Sequence, residues 1–318
     1  MLIFGPVPSR RLGRSLGINH IPPKICSYAC IYCQLGRTPR MQITRQAFHS
    51  TESLVEAVKT QLTAAAERGE EVDYLTFVPD GEPTLDENLG DTISALKPLG
   101  VPTAVISNAS LIWMAPVRQA LMQADWVSLK MDAADEDTWQ RIDRPHGHLE
   151  LSGILDGARA FAQRYSGRLV TETMLVAGVN DSEAALTATA DVIGDLQPSV
   201  AYLSIPTRPP AEPWVHPPDE ATIAQAYAIF SEKTPQVETL IGYEGNAFAF
   251  TNDAAADILS ITAVHPMRED AMDAFLARSG ADRGLVTQLV ANRQLTESAY
   301  AGHTFFLRTF QPSNVSTR

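Results

Sequence analysis

The chain of 318 residues lacks any long hydrophobic run. No apolar stretch approaches the roughly 20 residues that a membrane-spanning helix needs, and the first residues do not show the pattern of a secretory signal. Low-complexity tracts are also missing, while hydrophobic residues make up 45% and charged residues 19% of the chain. This balance is typical of a globular protein with a large core. We therefore expect a soluble protein in a reducing, cytoplasmic location.

Cysteine is scarce, and the three that occur lie within eight residues: Cys26, Cys30 and Cys33. Three thiols cannot all pair as disulfides, and a structural zinc site wants four ligands, usually from two separated Cys-x2-Cys pairs. A [4Fe–4S] cluster normally takes four cysteines, so three would leave one iron with an open coordination position. The spacing therefore favours a cluster with a reactive iron. A zinc site with His20 as fourth ligand and three incidental buried thiols are the alternatives.

Acidic residues are missing from the first 51 positions. The whole chain carries a formal net charge of −12, which argues against general nucleic-acid binding because phosphate contacts need a basic face. The acid-free segment nevertheless holds seven basic residues around the cysteines: Arg10, Arg11, Arg14, Lys24, Arg37, Arg40 and Arg45. We expect it to face an anionic substrate or to stabilise a negative thiolate cluster, with a solvated surface loop as the alternative.

The Cys-x3-Cys-x2-Cys spacing, with Tyr32 directly before the last cysteine, resembles the signature of the radical S-adenosylmethionine (SAM) superfamily. The resemblance implies that Cys26, Cys30 and Cys33 bind a [4Fe–4S] cluster whose open iron chelates the methionine part of SAM. It also implies reductive cleavage of SAM to a 5′-deoxyadenosyl radical, with an external electron donor of the flavodoxin or ferredoxin type. The cofactors then supply the chemistry, and the protein supplies position and electrostatics.

Two further stretches narrow the resemblance. Residues 5–13 and 21–24 look like a branch of the superfamily that is related to the wyosine-synthesis enzymes of transfer RNA. The resemblance covers roughly residues 1–250. One difference is that the wyosine enzymes use additional cysteines for a second cluster, and this chain has no cysteine left for one.

A Gly-Glu-Pro-Thr stretch follows a predicted buried strand at residues 74–78. Glycine allows the backbone to approach a ligand closely, and proline stiffens the loop. In the superfamily such a stretch contacts the methionine amino group, and four residues match it one by one: Gly81, Glu82, Pro83 and Thr84. Ser107 and Asn108, at the end of the next predicted strand, match a position where relatives often bind the ribose. A simple Asn turn is the alternative.

Polar residues alternate along the predicted strand at residues 126–132: Ser128, Lys130 and Asp132. A period of two sends them to one face, which in a barrel can be the lumen. Charges inside a lumen are costly unless they bind something or pair with each other. We therefore predict that Ser128 contacts the cofactor and that Lys130 and Asp132 contact cofactor or substrate, with a structural ion pair as the alternative.

Two later candidates also belong to predicted strands, one within a strand and one shortly after a strand. Glu172, within residues 169–176, is a candidate ligand for the substrate or the ribose if its side chain points inward. Arg208 follows the predicted strand at residues 201–205, where a guanidinium could hold a carboxylate or phosphate in a bidentate fork. A rigid proline linker with a solvated arginine is the alternative reading of that segment.

Six predicted strands alternate with helices, which indicates an α/β fold with a partial (β/α)6 barrel of the TIM type. Residues 4–11 are rich in proline and glycine and are predicted to form an irregular arm. From residue 251 the pattern changes to three helices and a hairpin, which predicts a small winged-helix-like domain over residues 251–318. Acidic and basic residues nearly balance there, so we expect a lid, a protein contact or a peptide binder.

The leading hypothesis is a radical SAM enzyme that abstracts hydrogen from an unidentified substrate. An RNA base is one candidate, because of the wyosine-like resemblance and the acid-free segment, while a small metabolite or a protein side chain is the alternative. A non-catalytic iron–sulfur electron carrier or regulator is the hypothesis from a different class. Replacement of Glu82 is expected to weaken cofactor binding in an enzyme and to leave a carrier unaffected.

Overall fold

The computed structural model describes residues 2–241, 253–264 and 266–309. The chain divides into two compact units, Met1–Glu244 and Gly245–Arg318. The predicted domain boundary, between residues 250 and 251, lies outside the described residues. Within the described ranges, no helix combines the length and the apolar character of a membrane span.

The first unit alternates strands and helices along the chain. Its strands are β1 (Ile3–Ser9), β2 (Gly13–Ile18), β3 (Tyr74–Phe77), β4 (Thr103–Ser107), β5 (Trp126–Lys130), β6 (Arg168–Met174), β7 (Val200–Ser204) and β8 (Val237–Leu240). Its α-helices are α1 (Thr51–Glu67), α2 (Leu89–Leu96), α3 (Ala115–Leu121), α4 (Glu136–Ile142), α5 (Leu151–Ala162), α6 (Glu183–Leu196) and α7 (Glu220–Ser231). Short polar side chains begin several helices by accepting a backbone hydrogen bond in the first turn, as Ser50 does for α1.

All eight strands form one sheet in the order β1 to β8. Neighbours from β2 to β8 are parallel, and β1 pairs with β2 in the antiparallel sense. Side chains on one face, such as Leu75 and Val127, join helix residues in the main hydrophobic core. The other face carries a smaller apolar cluster that includes Trp126 and Val170. This parallel-rich α/β sheet agrees with the predicted partial barrel and places the loops after its strands at one edge.

The predicted irregular arm is wrong, because residues 3–9 form strand β1. Its two prolines, Pro6 and Pro8, are compatible with a strand at the edge of a sheet, where a missing N–H removes no ladder bond to a second neighbour. The pairing with β2 has an irregularity between Phe4 and Val7, where the prolines begin. The proline and glycine content therefore indicated a loop. A strand forms here because β1 lies at the edge of the sheet.

The prediction of six strands also missed β8, which continues the parallel order beyond β7. This strand has only four residues, and two of them, Glu238 and Thr239, are polar. A run that short and that polar gives too little alternation to be read as a strand. With β8 included, the parallel part of the sheet has seven strands among the described residues.

The second unit contains three helices and a small antiparallel sheet in its described part. The elements are α8 (Ala254–Val264), β9 (Met267–Arg268), α9 (Glu269–Ser279), α10 (Arg283–Ala291), β10 (Leu295–Tyr300) and β11 (His303–Arg308). Strand order is β10-β11-β9. Arg283, at the start of α10, lies 2.6 Å (Nε) from a carboxylate oxygen of Asp273 and 3.1 Å (Nη2) from Glu269. The charge of Arg283 is thus neutralised within the unit.

The assignment of the second unit as a winged-helix domain stays a prediction.

Candidate active site

The three cysteines lie on the long loop between β2 and α1, at the edge where the parallel strands end. All three thiols are free, and each cysteine residue as a whole is intermediate between buried and exposed. Backbone bonds attach this loop to the carboxyl end of α4: Ala29 N–H donates to the Asp143 carbonyl at 3.0 Å, and Ile31 N–H to the Ile142 carbonyl at 3.0 Å. The loop that carries the thiols is therefore held by contacts more than a hundred residues away in sequence.

Each thiol has one polar neighbour of its own. Lys24 Nζ donates to Cys33 Sγ at 3.4 Å, and Asn108 Nδ2 donates to Cys26 Sγ at 3.5 Å. Cys30 Sγ donates to Asp143 Oδ1 at 3.3 Å. Two of these neighbours are donors, which stabilise a thiolate once the proton has left.

The thiols influence one another electrostatically. Burial, and then the Glu82 carboxylate, raise the pKa of Cys26 to about 12. Burial and the adjacent Asp143 raise the pKa of Cys30 well above its usual range, and Cys26 and Cys33 add to that rise. Metal binding at these thiols would have to release their protons.

The alternative of a zinc site with His20 as fourth ligand is not supported by the surroundings of His20 in the described residues. His20 is fully buried, and its ring nitrogens lie 3.5 Å from the Ile18 carbonyl and 3.3 Å from the Pro83 carbonyl. Burial lowers the pKa of His20 to about 4, so the ring is neutral. Among the described residues, no three His, Cys, Asp or Glu side chains form a group suited to one metal ion, and this holds for the three cysteines as well.

The Gly-Glu-Pro-Thr loop packs directly on the cysteine loop. Glu82 N–H donates to the Ile25 carbonyl at 3.0 Å, and Lys24 N–H donates to the Asp80 carbonyl at 2.8 Å. A Cβ at position 81 would lie 1.9 Å from the Ile25 carbonyl oxygen, which only glycine avoids. Glycine at position 81 was predicted to let the backbone approach a ligand. In the structure it lets the backbone approach the Ile25 carbonyl of the cysteine loop.

The Glu82 side chain joins the ends of two strands. One carboxylate oxygen accepts from Thr84 N–H at 3.0 Å, Thr84 Oγ1 at 2.6 Å and Ser107 Oγ at 2.7 Å. The other accepts from Asn108 N–H at 2.8 Å. Glu82 is 1% exposed, and burial raises its pKa although these bonds favour the charge. Three other predicted cofactor residues, Thr84, Ser107 and Asn108, are therefore organised by this carboxylate.

Asn108 forms the turn that was the alternative to ribose binding. Its Oδ1 accepts from Ser110 N–H at 2.9 Å, and its Nδ2 also donates to Ser27 Oγ at 3.0 Å. The side chain therefore links the turn after β4 to the cysteine loop. Ribose contacts by Ser107 and Asn108 stay a prediction.

Lys130, Asp132 and Glu172 come together on the sheet face opposite the main core. Lys130 Nζ lies 3.9 Å from one oxygen of each carboxylate and 4.6 Å from the centre of the Tyr32 ring. Although burial opposes the charge, Asp132 and Glu172 raise the pKa of Lys130. At 3.9 Å the ammonium makes ion pairs with these carboxylates but no short hydrogen bond to either of them.

Arg11 reaches the same cluster from the turn between β1 and β2. Its guanidinium donates to Glu172, and its carbon centre lies 6.0 Å from the centre of the Tyr202 ring. Although burial favours the neutral acid, Arg11 and Lys130 lower the pKa of Glu172 to about 2. Glu172 therefore points inward, as its candidate role required, and is ionised at neutral pH.

Replacement of Glu172 by glutamine is expected to destabilise the protein by about 2 kcal/mol at pH 7. Because the pKa of Glu172 is about 2 in the folded state, the charge stabilises the fold above about pH 4.5. That contribution is lost as the pH falls from there toward 2. Urea unfolding of both proteins should show a difference that shrinks through this range. Exposed Glu238→Gln is the matched control, and an equal effect of both changes would contradict the assignment.

A chain of polar contacts connects this cluster to the cysteines. Tyr32 OH donates to Asp132 and lies 3.2 Å from Asp143 Oδ1, which is also the acceptor for Cys30. Burial, and then the Asp132 carboxylate, raise the pKa of Asp143 well above its usual range. Ion pairing between Lys130 and Asp132 was the alternative to ligand binding, and the geometry shows the pair. Contacts with cofactor or substrate stay a prediction.

Ser128 stands below Lys130 on the same face and is fully buried. Its Oγ has no hydrogen-bond partner among the residues that the structure describes. A buried hydroxyl without a partner is uncommon, since leaving it unpaired costs about 1–3 kcal/mol. The predicted cofactor contact at Ser128 is compatible with this unpaired hydroxyl.

The loop after β7 crosses to the cysteine loop. Arg208 Nη1 donates to Gln34 Oε1 at 2.7 Å, directly after Cys33 in the chain. In the same loop, buried Glu212 accepts from Arg37 at 2.7 Å and from Arg144 at 2.5 Å. The segment is therefore more than a rigid linker, because it ties together three loops at the strand ends.

Sequence reasoning missed several residues of this site. Arg11 and Lys24 carried only the general signal of an acid-free segment, and Tyr32 counted only as part of the cysteine motif. Asp143 was assigned no role from the sequence. Glu212 gave no signal, because one acidic residue in a proline-rich loop is ordinary.

Comparison with known proteins agrees with these features. The model of the Radical SAM superfamily matches residues 21–189. A UPF0026 protein of Methanocaldococcus jannaschii is 42% identical over 319 residues, with 99% of both chains covered. A UPF0026 protein of Helicobacter pylori is 37% identical over 211 residues, which cover 65% of this chain and 67% of the relative.

Solved structures show a similar fold. TYW1 with a lysine–pyruvate adduct matches with a TM-score of 0.54 at 18% identity, over 70% of this chain and 74% of TYW1. SuiB of Streptococcus suis bound to S-adenosylmethionine matches with a TM-score of 0.52 at 12% identity, over 72% of this chain and 52% of SuiB. The cysteine loop and the Gly-Glu-Pro-Thr loop both fall within the matched region, and the chain belongs to the radical SAM superfamily as an enzyme related to the UPF0026 proteins.

Proposed function

We propose that this enzyme binds a [4Fe–4S] cluster through Cys26, Cys30 and Cys33 and cleaves SAM reductively at the open iron. The observation that carries the proposal is the docking of the Gly-Glu-Pro-Thr loop on the cysteine loop, through Glu82 N–H and the Ile25 carbonyl. The donor set fits the cluster in kind, since three free thiols lie on one loop within eight residues and the chain has no fourth cysteine.

When bound, the cluster and SAM supply a 5′-deoxyadenosyl radical for hydrogen abstraction. The protein residues position these groups. Lys24 and Asn108 donate to two of the three sulfurs and stabilise their negative charge. Glu82 holds Ser107 and Asn108 where the strand ends meet the cysteine loop. Ser128 and Lys130 carry hydrogen-bond donors on the sheet face opposite the main core.

The charges of that face favour a substrate whose reacting part is neutral. Two cations, Arg11 and Lys130, face two carboxylates, Asp132 and Glu172. A charged substrate group placed beside them would be repelled by the two side chains of its own sign. The two side chains of opposite sign are already paired. A nucleobase meets this requirement, so an RNA base is the proposed substrate. A small metabolite or a protein side chain would be revealed by stimulation with the corresponding cell fraction.

The alternative of a non-catalytic electron carrier is not favoured, since the chain belongs to a superfamily of radical SAM enzymes. A carrier would also give no role to the unpaired hydroxyl of Ser128 or to the ammonium donors of Lys130.

The proposal is tested by electron paramagnetic resonance of the anaerobically reconstituted, dithionite-reduced protein. SAM should change the spectrum of the reduced cluster, because its methionine part would occupy the open iron. Cys30→Ala should lose most of its iron, while exposed His148→Ala should retain the wild-type amount. A cluster whose spectrum is unaffected by saturating SAM would contradict the proposal and indicate a closed site.

A further inference from the structure

Two arginines from different loops meet one glutamate at the edge where the parallel strands end. Arg37 Nη2 lies 2.7 Å from Glu212 Oε2, and Arg144 Nη1 lies 2.5 Å from Glu212 Oε1. We call these three residues the arginine clasp. Glu212 N–H also donates at 3.0 Å to the carbonyl of Ile31, which follows Cys30 in the chain. The clasp is therefore attached directly to the cysteine loop.

The two guanidinium groups of the clasp have donors to spare. A guanidinium carries five N–H donors, and Arg37 and Arg144 each use one of them for Glu212. Their other donors have no acceptor among the residues that the structure describes. The two arginine side chains are 72% and 43% exposed, whereas the Glu212 side chain is 7% exposed. Two cations against one buried carboxylate leave the clasp with a net positive charge that faces solvent.

The cations of the sheet face differ from the clasp because carboxylates balance them. Arg11 and Lys130 are paired with Asp132 and Glu172. An anionic group of a substrate therefore meets no net positive charge on that face. The clasp has such a charge, together with spare donors in the fork geometry that binds phosphate. A substrate with a neutral reacting part and a phosphate outside it would match both places.

An exposed tryptophan follows the clasp two residues later in the chain. Trp214 is 51% exposed, and no described aromatic ring or cation stacks on it. Its backbone is fixed, since buried Val215 donates its N–H to the Glu212 carbonyl at 3.0 Å and the His216 carbonyl accepts from Ala177 N–H at 3.0 Å. Proteins that bind single-stranded RNA stack its bases on aromatic side chains of this kind.

The acidity of the rest of the chain limits such a contact to a short stretch. The formal net charge is −12, and all 37 acidic residues lie after position 51. Three of them, Asp135, Glu136 and Asp137, begin helix α4 at the same edge of the sheet. A long phosphate backbone would be repelled there. One phosphate and one base need only the clasp and Trp214.

We propose that the arginine clasp and Trp214 bind a nucleotide that flanks the reacting base in single-stranded RNA. The clasp accepts the phosphate, and the indole stacks on the base of that nucleotide. The proposal rests on the proposed function, because it takes the reacting base to be part of an RNA strand. An acidic peptide could also bind the guanidinium groups, but its carboxylates offer no planar ring to the indole. The combination of both features therefore favours the nucleotide.

The test measures binding of a short, fluorescein-labelled single-stranded RNA to the reconstituted holoprotein by fluorescence anisotropy. The variants are Trp214→Ala, Trp214→Phe and Arg37→Gln. Tyr227→Ala is the aromatic control, since Tyr227 is 46% exposed in the second half of α7. Arg164→Gln is the control for charge, because exposed Arg164 follows the end of α5. Iron content and melting temperature are recorded for every variant.

Trp214→Ala should weaken RNA binding about tenfold, whereas Trp214→Phe should retain most of the affinity, because stacking needs an aromatic face. Arg37→Gln should weaken binding about threefold at low salt. It should also reduce the slope of log affinity against log salt concentration by about 0.7, which corresponds to one phosphate contact with a single strand. Both control variants should bind RNA as the wild type does.

Equal affinities of Trp214→Ala and Tyr227→Ala would overturn the proposal, and so would a wild-type protein that does not bind the RNA. Adenosine monophosphate or polyglutamate that competes as strongly as unlabelled RNA would assign the clasp to a free nucleotide or an acidic peptide, and would overturn it as well. Failure of the proposed function is distinguishable. It would appear as a cluster whose paramagnetic resonance spectrum does not respond to SAM, in a protein whose RNA binding still depends on Trp214.

Discussion

Replacement of Glu82 by glutamine is expected to destabilise the first unit by about 3 kcal/mol and to lower its iron content after reconstitution. The carboxylate accepts four hydrogen bonds inside the protein, from Thr84, Ser107 and Asn108. A glutamine amide would turn an N–H₂ group toward at least one of these donors. Because Glu82 is 1% exposed, water cannot replace the lost acceptor.

Chemical denaturation and iron analysis measure the two effects. Glu87→Gln is the matched control, because it removes the same charge from an exposed position in the neighbouring turn. We expect the control to retain the wild-type unfolding midpoint and iron content. Equal midpoints for both variants would show that the Glu82 bonds do not hold the loops together.

The hydrogen bonds of Glu82 change what replacement of this residue can test. Replacement of Glu82 was expected to impair an enzyme and to leave an electron carrier unaffected. Since the carboxylate binds the protein's own donors beside the cysteine loop, its loss would disturb the cluster site in either case. The variant therefore tests the architecture of the site, and the choice between enzyme and carrier needs a measurement of SAM chemistry.

Gly81→Ala is the second change with a large expected effect. An added Cβ would lie 1.9 Å from the Ile25 carbonyl oxygen and 3.1 Å from Ile21 Cγ2. The backbone of one loop must then move, which breaks the bond from Glu82 N–H to the Ile25 carbonyl. Overpacking of this kind costs about 1–3 kcal/mol, and here it also shifts the residue next to Cys26.

Gly147→Ala is the control for Gly81→Ala, because a Cβ at position 147 meets no atom within 4 Å. Thermal unfolding and iron content should be unchanged in the control and reduced in Gly81→Ala. If Gly81→Ala bound a full complement of iron with wild-type stability, the close packing of the two loops would not be needed for the site.

The local parts of the site could be predicted from the sequence. The spacing of the three cysteines and the Gly-Glu-Pro-Thr stretch are continuous in the chain, and both lie in the region that the superfamily model matches. Period-two alternation also placed Lys130 and Asp132 on one face together, because a strand geometrically fixes that relation.

The long-range contacts could not be predicted in this way. Arg11 meets Glu172 across 161 positions, and Arg37 meets Glu212 across 175. Such pairs depend on how the strands are ordered and on where each loop crosses, which a single sequence does not display. Strand β1 was misread for a related reason, since its prolines are acceptable only at the edge of a sheet.

The most direct test of the central claim is the amount of 5′-deoxyadenosine formed under anaerobic conditions from SAM and dithionite. The reconstituted wild-type protein and His148→Ala should both form it, and Cys30→Ala should form none above the reagent background. Absence of 5′-deoxyadenosine from a wild-type protein with an intact, reducible cluster, with and without added cell RNA, peptide and metabolite fractions, would contradict the account.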